Sequence, residues 1–289
     1  MNEVNLKENL GNKVVKSNEL IQRAKTDLTL SEQKLVNYLI SLIKPKDDEL
    51  KVYEIKAADF AKITGIDSTH MYRDFKKIME SIEKKSFWFE DEREIVRIYW
   101  VMKPRYIKGE GKVRMRLDPD LKEYLIGLQN NFTSYELYNI LSLKSKYSLS
   151  LYELFKMHSF KHILKINLDE LKEKIGANLD SYKKFGIFKQ RILETSLDNI
   201  NKYTDIKVSY QCLDSHQKLL NDLRGRKVVY IKFIIKTKGE TDRLTLYEET
   251  TYRLFDNEQL SDQVPHQLSF DTDNETAALF DDTTNQRIN

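Results

Sequence analysis

Glu54-Ile-Lys-Ala-Ala-Asp-Phe-Ala-Lys-Ile-Thr-Gly65 and Lys165-Ile-Asn-Leu-Asp-Glu-Leu-Lys-Glu-Lys-Ile-Gly176 are two copies of one plan. Ile55 aligns with Ile166, Asp59 with Glu170, Phe60 with Leu171 and Gly65 with Gly176, an offset of 111. With two extra residues in the second copy, Phe75 meets Phe188, Lys76 meets Lys189 and Met79 meets Ile192. Each copy reads as an extended piece, a short helix, a turn with glycine and a longer helix. That order is helix-turn-helix-like, and its repetition predicts two similar domains.

Both longer helices have a readable inner face. Met71, Phe75, Ile78, Met79 and Ile82 recur at spacings of three and four, as do Phe188, Ile192, Leu193, Leu197 and Ile200. Asp67 or Ser68 can cap the first of them, which leaves His70, Arg73, Lys76 and Lys77 pointing outward among Asp74, Glu80 and Glu83. The second has no acid between Asp180 and Glu194, and carries Lys183, Lys184, Lys189, Gln190 and Arg191 interleaved with Tyr182 and Phe185. A basic N-terminal half on a helix after a turn suits a major-groove reader, because its first turns approach base edges and its positive end favours phosphate.

Alternation of period two follows each helix. Val96, Ile98, Trp100 and Met102, then Val113, Met115 and Leu117, face one way in the first half; Ile206, Val208, Tyr210 and Cys212, then Val229, Ile231, Phe233 and Ile235, do so in the second. A helix-turn-helix followed by a hairpin is a winged helix. The wing tips are expected at Lys108–Lys112 and Gln217–Lys227, where Arg224, Arg226 and Lys227 would meet a DNA backbone. Further helices are expected over Thr29–Ile43 and over Ser134 to about Met157, the latter running between the domains.

Net charge is only +3 over 289 residues, but it is unevenly spread. Residues 241–289 hold 3 basic and 11 acidic side chains, which leaves 45 basic and 34 acidic in the rest. A basic body points to a polyanion partner. The single cysteine, Cys212, fits a reducing cytosol and excludes a cysteine-based zinc site, and no run approaches the roughly 18 apolar residues of a membrane span. No pair among His70, His158, His162, His216 and His266 has the His-hydrophobe-His spacing of a strand-nicking metal site. His158 and His162 lie four apart, but no acid or cysteine completes a set. A glycine-rich loop ending in Gly-Lys-Ser/Thr is also absent, so no ATP hydrolysis, cofactor or metal is expected.

Asn18-Glu-Leu-Ile-Gln-Arg-Ala24 ahead of Leu28-Thr-Leu-Ser-Glu-Gln33 resembles the opening of the RepB/RepE-like plasmid replication initiators. Leu143-Lys-Ser-Lys-Tyr-Ser148 with Leu151-Tyr-Glu-Leu-Phe155, and Asn199-Ile-Asn-Lys-Tyr-Thr-Asp-Ile206, resemble later parts of the same family. The resemblance spans about residues 17–238. It implies a non-enzymatic, theta-type initiator that binds repeated origin sites (iterons) as a monomer and helps open the duplex. It also implies repression of its own promoter as a dimer, copy-number control, and host partners such as initiator, helicase, primase or sliding clamp.

The sequence thus predicts an α+β chain of two tandem winged helices in the cytoplasm. Residues 1–17 are expected as a flexible arm, 18–130 as the first domain with backbone contact and dimerisation, 131–240 as the main DNA reader, and 241–289 as an acidic, largely disordered tail. The expected DNA contacts are Ser68, Thr69, His70, Arg73, Lys76, Lys77, Tyr182, Lys183, Lys184, Lys189, Gln190, Arg191, Arg224, Arg226 and Lys227. Within the tail, Gln267-Leu-Ser-Phe270 and Ala278-Leu-Phe280 resemble degenerate sliding-clamp peptides. A sequence-specific transcriptional repressor is the alternative function.

Overall fold

The computed structural model describes residues 2–24, 27–66, 71–90, 93–107 and 109–255, with side chains from residue 4 onward and, in the helix beginning at Met71, from residue 73. The chain opens with β1 (Asn2–Val4), α1 (Leu6–Asn9), β2 (Lys13–Ser17), α2 (Asn18–Arg23) and α3 (Leu30–Ser41). Side chains cap all three helices. Asn5 accepts from the Lys7 amide, Ser17 accepts from the Leu20 amide, and Thr29 with Glu32 forms a reciprocal capping box. The expected flexible arm is therefore corrected over its described residues. Leu6, Leu10 and Val14 are fully buried, the Leu6 amide donates to Asp59 Oδ2 at 3.0 Å, and β1 pairs in parallel with β3 (Tyr53–Lys56). Short apolar side chains among polar ones look like an arm, yet these three seat in the first domain's core.

The first winged helix then runs through α4 (Ala57–Thr64) and α5 (Met71–Glu83). Gly65, at φ +71°, ends α4 in the left-handed conformation that a Cβ disfavours. Phe75, Met79 and Ile82 point inward, and Phe75 meets Phe60 edge-on at 5.2 Å. A hairpin that the alternation had blurred, β4 (Ser86–Glu90) with β5 (Ile95–Tyr99), precedes the wing strands β6 (Val101–Ile107) and β7 (Lys112–Leu117). The wing sheet has the order β1-β3-β7-β6, and Val113, Met115 and Leu117 line its buried face.

The interdomain stretch also corrects an expectation. After α6 (Lys122–Leu125), residues 134–157 are not one helix but β8 (Phe132–Glu136), α7 (Tyr138–Leu141) and α8 (Lys146–His158). β8 pairs antiparallel with β2 from Lys13↔Glu136 to Ser17↔Phe132, so a boundary at 130/131 would detach a strand that is bound to the first domain. Ser145 starts α8 by accepting from the Ser148 amide. The second domain follows as β9 (Ile163–Asn167), α9 (Leu168–Lys174), α10 (Phe185–Phe188), a wider turn over Lys189–Glu194, α11 (Thr195–Tyr203), β10 (Ile206–Leu213) and β11 (Tyr230–Thr237). Its sheet has the order β10-β11-β9.

The acidic tail begins later than expected. Glu240–Phe255 forms α12, with Leu246, Thr250 and Phe255 buried. Its one-sided apolar spacing had been masked by Asp242, Glu248 and Glu249. Residues 256–289, which hold both clamp-like peptides, lie outside the described residues.

One apolar cluster runs through both domains, and buried polar groups stitch it. Lys34 is one of these. It lies on α3, 8% exposed, and donates to the Leu141 carbonyl at 2.8 Å. Burial, and then the nearby Arg253 charge, pull its pKa down to about 8. The unfolded chain keeps this proton up to the ordinary lysine range, so it binds more protons than the folded chain in the window above pH 8. Stability is therefore expected to rise with pH from about 8 toward 10.5. Urea titrations at pH 7 and 9.5 should show this rise, and Lys34→Met should flatten it; an equal rise in both proteins would exclude Lys34 as its source.

Candidate nucleic-acid interface

The second domain presents the more exposed basic surface. Asp180–Tyr182 form a single tight turn, after which residues 185–203 are continuously helical. The wider turn at Lys189–Glu194, where Thr195 Oγ1 donates to the Gln190 carbonyl at 3.1 Å, lets both Ile192 and Leu193 point inward. Phe188, Ile192, Leu193, Leu197 and Ile200 are all buried, as the sequence pattern required. The opposite side carries the charge. Lys183, Lys184, Gln190 and Arg191 are exposed, and at Gly186 an added Cβ would meet nothing within 4 Å. The first turns of this helix are therefore open to a ligand.

Two side chains that sequence reasoning passed over hold the approach to this helix. Lys172 on α9 is buried, donates to the Lys183 carbonyl at 3.4 Å and sets its ammonium 5.3 Å from the Phe188 ring centre. Tyr147 on α8 meets Tyr182 edge-on at 6.1 Å. Tyr182 is thus half-buried and braced. Lys172 sits among Asp169, Glu170 and Glu173, so by composition it reads as one charge of a solvated face; only its position beside Leu171 marks it as inward.

The electrostatics of the two candidate readers differ. On α5, Arg73 lies 3.1 Å from Asp74, Lys77 3.7 Å from Asp74, and Lys76 3.7 Å from Glu80. These exposed pairs are individually weak, but together they offset much of the local positive field. On the second reader, Lys189 is half-buried and lies 3.4 Å from Glu194, and Lys183 lies 2.8 Å from Asp180. Lys184 and Arg191 have no ion pair among the described residues. Ser68, Thr69 and His70 lie outside the described residues.

The second wing joins β10 to β11 through residues 214–229. Asp214 Oδ1 accepts from the His216 and Lys218 amides, both at 2.9 Å, which holds its carboxyl below the ordinary range. Lys165 on β9 ties down Gln217 at the loop's base. At the tip Gly225 has φ +66°, and Arg224, Arg226 and Lys227 project into solvent, with Arg224 leaning on Asp222 at 3.1 Å. The first wing is more neutral. Lys112 lies 3.1 Å from Glu54 and Arg114 lies 2.8 Å from it; Lys108 lies outside the described residues.

No cluster of three His, Cys, Asp or Glu that could hold a metal ion occurs among the described residues. His158 ends α8 half-buried, and His162 adopts φ +57° in the turn before β9. No helix among the described residues is long and apolar enough to cross a membrane.

Comparison with known proteins agrees with the two-domain geometry. The family model for "Initiator Replication protein, WH1" matches residues 13–156, and that for "Initiator Rep protein, WH2" matches residues 167–235. The gap between them falls at the end of α8, so the first match includes β8, α7 and most of α8, and the β2–β8 pairing ties β8 to the same domain. A "PI protein" of Escherichia coli is 28% identical over 219 residues, covering 63% of this chain and 68% of that protein. A "Replication initiation protein" of Escherichia coli is 23% identical over 270 residues, covering 90% and 79%. A solved WH1 domain of a replication protein isolated from a multiple sclerosis patient is 18% identical with a TM-score of 0.26, covering 35% of this chain and 83% of that domain.

Proposed function

Starting from the premise that the chain belongs to the plasmid replication initiator family of tandem winged helices, we propose that it binds repeated sites at its plasmid's origin through both domains. In this reading Gln190 and Arg191 reach base edges in one major groove, Lys183 and Lys184 hold the phosphates beside it, and Arg224, Arg226 and Lys227 touch the flanking backbone. The first domain, through Arg73, Lys76 and Lys77, reaches a second groove one turn away, which gives sites of about 20 base pairs. Tyr182 and Lys189 add contacts in the second domain, and Ser68, Thr69 and His70, outside the described residues, are proposed as further contacts of the first. The bound protein opens A·T-rich duplex, where deformation is cheapest, and recruits host initiator, helicase, primase or clamp. As a dimer it represses its own gene.

The observation that carries the reading is the exposed, acid-poor N-terminal half of the second reading helix, in a domain whose wing tip leaves Arg224, Arg226 and Lys227 exposed. The test is footprinting of the purified protein on DNA flanking its gene at two salt concentrations. Regularly spaced protected repeats of about two helical turns beside an A·T-rich stretch are expected, fading as salt rises. A single inverted repeat over the promoter would instead favour a dedicated repressor, and no protection at moderate salt would overturn the DNA reading.

A further inference from the structure

The helix α12 follows the second domain in sequence, yet it packs against β8, α7 and α4 of the first. Its root is fixed in the second domain, where the Lys238 amide donates to the Asp205 carbonyl at 2.8 Å and Lys238 Nζ donates to the Asn201 carbonyl at 2.6 Å. From there it extends 16 residues, about 24 Å at 1.5 Å per residue. Arg243 lies 3.1 Å from Glu136 at the end of β8, and the Tyr247 ring meets Tyr138 at 5.5 Å and 88°. Tyr247 also lies 3.7 Å from where a Cβ on Gly11 would sit, so the backbone there is closely covered. Thr250 and Ser142 share a buried hydrogen bond of 3.1 Å, and Arg253 donates to Ser142 while lying over the Tyr203 ring. Phe255, 8% exposed, ends beneath Lys62 of α4, whose ammonium is 4.6 Å from the ring centre, and beside Lys7 at 5.7 Å.

The place where α12 ends matters. α4 is the first helix of the first domain's helix-turn-helix, so a rigid strut rooted in one reader stops on the other. The crevice between the domains, lined by Leu20, Val36, Leu149, Leu154 and Ile175, holds the Lys16–Glu153 ion pair at 2.7 Å. Among the described residues, Gln33 Oε1 and Asn37 Oδ1 are buried at this crevice without a hydrogen-bond partner. α12 ties the domains at a second place, from Glu136 and Ser142 to Lys62.

We propose that α12 is the element that fixes the distance between the two reading helices, and so sets the half-site spacing that the protein accepts. The inference rests on the two-domain DNA reading proposed above. Tyr247 and Phe255 are its positioning residues; neither touches DNA.

The test uses the full chain. Duplexes selected from a random pool by the wild-type protein are lengthened by two base pairs between half-sites, which rotates one half-site by about 70° at 10–10.5 base pairs per turn. The wild type should lose affinity by ~100-fold. The Tyr247→Ala/Phe255→Ala protein should lose less than ~10-fold on the same change, with an unaltered salt slope because its phosphate contacts are intact. An equal spacing penalty in both proteins overturns the proposal. Spin labels at Glu83→Cys and Lys207→Cys, in a Cys212→Ser background, read the brace without DNA. The distance distribution should broaden in the double variant, and an unchanged distribution overturns the proposal. Should wild type select no paired half-sites, the DNA reading fails, and the label distances still decide whether α12 braces the domains.

Discussion

Asp205→Ala is expected to destabilise the protein by about 3–5 kcal/mol, because it breaks a buried ion pair by removing one partner. Asp205 is 2% exposed and sits where the second domain's last reading-helix turn meets α8. Tyr152 Oη donates to its Oδ1 at 2.9 Å, Lys156 Nζ donates to its Oδ2 at 2.7 Å, and its own amide donates to Asn139 Oδ1 at 2.8 Å. Burial and the adjacent carboxylate hold the Tyr152 hydroxyl firmly protonated, so it serves as a donor at any physiological pH. Alanine would strand a mostly buried ammonium and a fully buried hydroxyl together, and each would pay its desolvation without a partner. Urea unfolding should show a lower midpoint with an unchanged slope. The Asp205→Leu/Lys156→Met pair should recover most of the loss, because removing both charges leaves no ion unpaired. A loss below about 1 kcal/mol in Asp205→Ala would mean that water replaces the carboxylate and that the junction is wetter than its burial indicates.

That junction was only partly legible in the sequence. The Asn199–Ile206 stretch stood out by resemblance, but nothing in it announced that Asp205 pairs with a lysine 49 residues earlier. The repeated helix-turn-helix units were legible because their periodicity is local: each stripe, such as Phe188 to Ile200, is set by spacings of three and four within one helix. The elements that went astray are those whose partners are distant. β8 and β2 pair across more than a hundred residues, so Ser134–Met157 read as helix from its dense apolar content until pairing claimed Phe132–Glu136. Residues 2–17 have too few apolar side chains to declare a domain, and only the prior existence of α4 and β3 makes Leu6 and Val14 core. α12 was hidden by its acids, which face solvent while Leu246, Thr250 and Phe255 face inward. Lys172 shows the same limit in the candidate site, because the sequence ranks lysines by neighbours in the chain, and its neighbours in space are Phe188 and the Lys183 carbonyl.

The sharpest functional prediction separates two kinds of contact on the second reading helix. Removing Lys183 and Lys184 together should weaken binding to every duplex alike, lower the slope of log K against log salt by about 2, and cost ~10- to 100-fold near physiological salt. Arg191→Ala should act differently. A guanidinium bidentate to guanine is worth about 1–3 kcal/mol of discrimination, so its loss should cost ~10- to 100-fold on the selected site and little on random DNA. Gln190→Ala should relax preference for adenine in the same manner. The geometry supports this division: Gln190 and Arg191 sit in the wide turn of the helix itself, whereas Lys183 and Lys184 precede Phe185. The matched changes on the first domain, Lys76→Ala and Lys77→Ala, should have smaller effects, because Glu80 and Asp74 already offset those charges. Equal losses on selected and random DNA for Arg191→Ala and for the lysine pair would refute the split in roles. The protein would then hold DNA by charge alone, and its sequence preference would have to come from duplex deformation rather than from base edges.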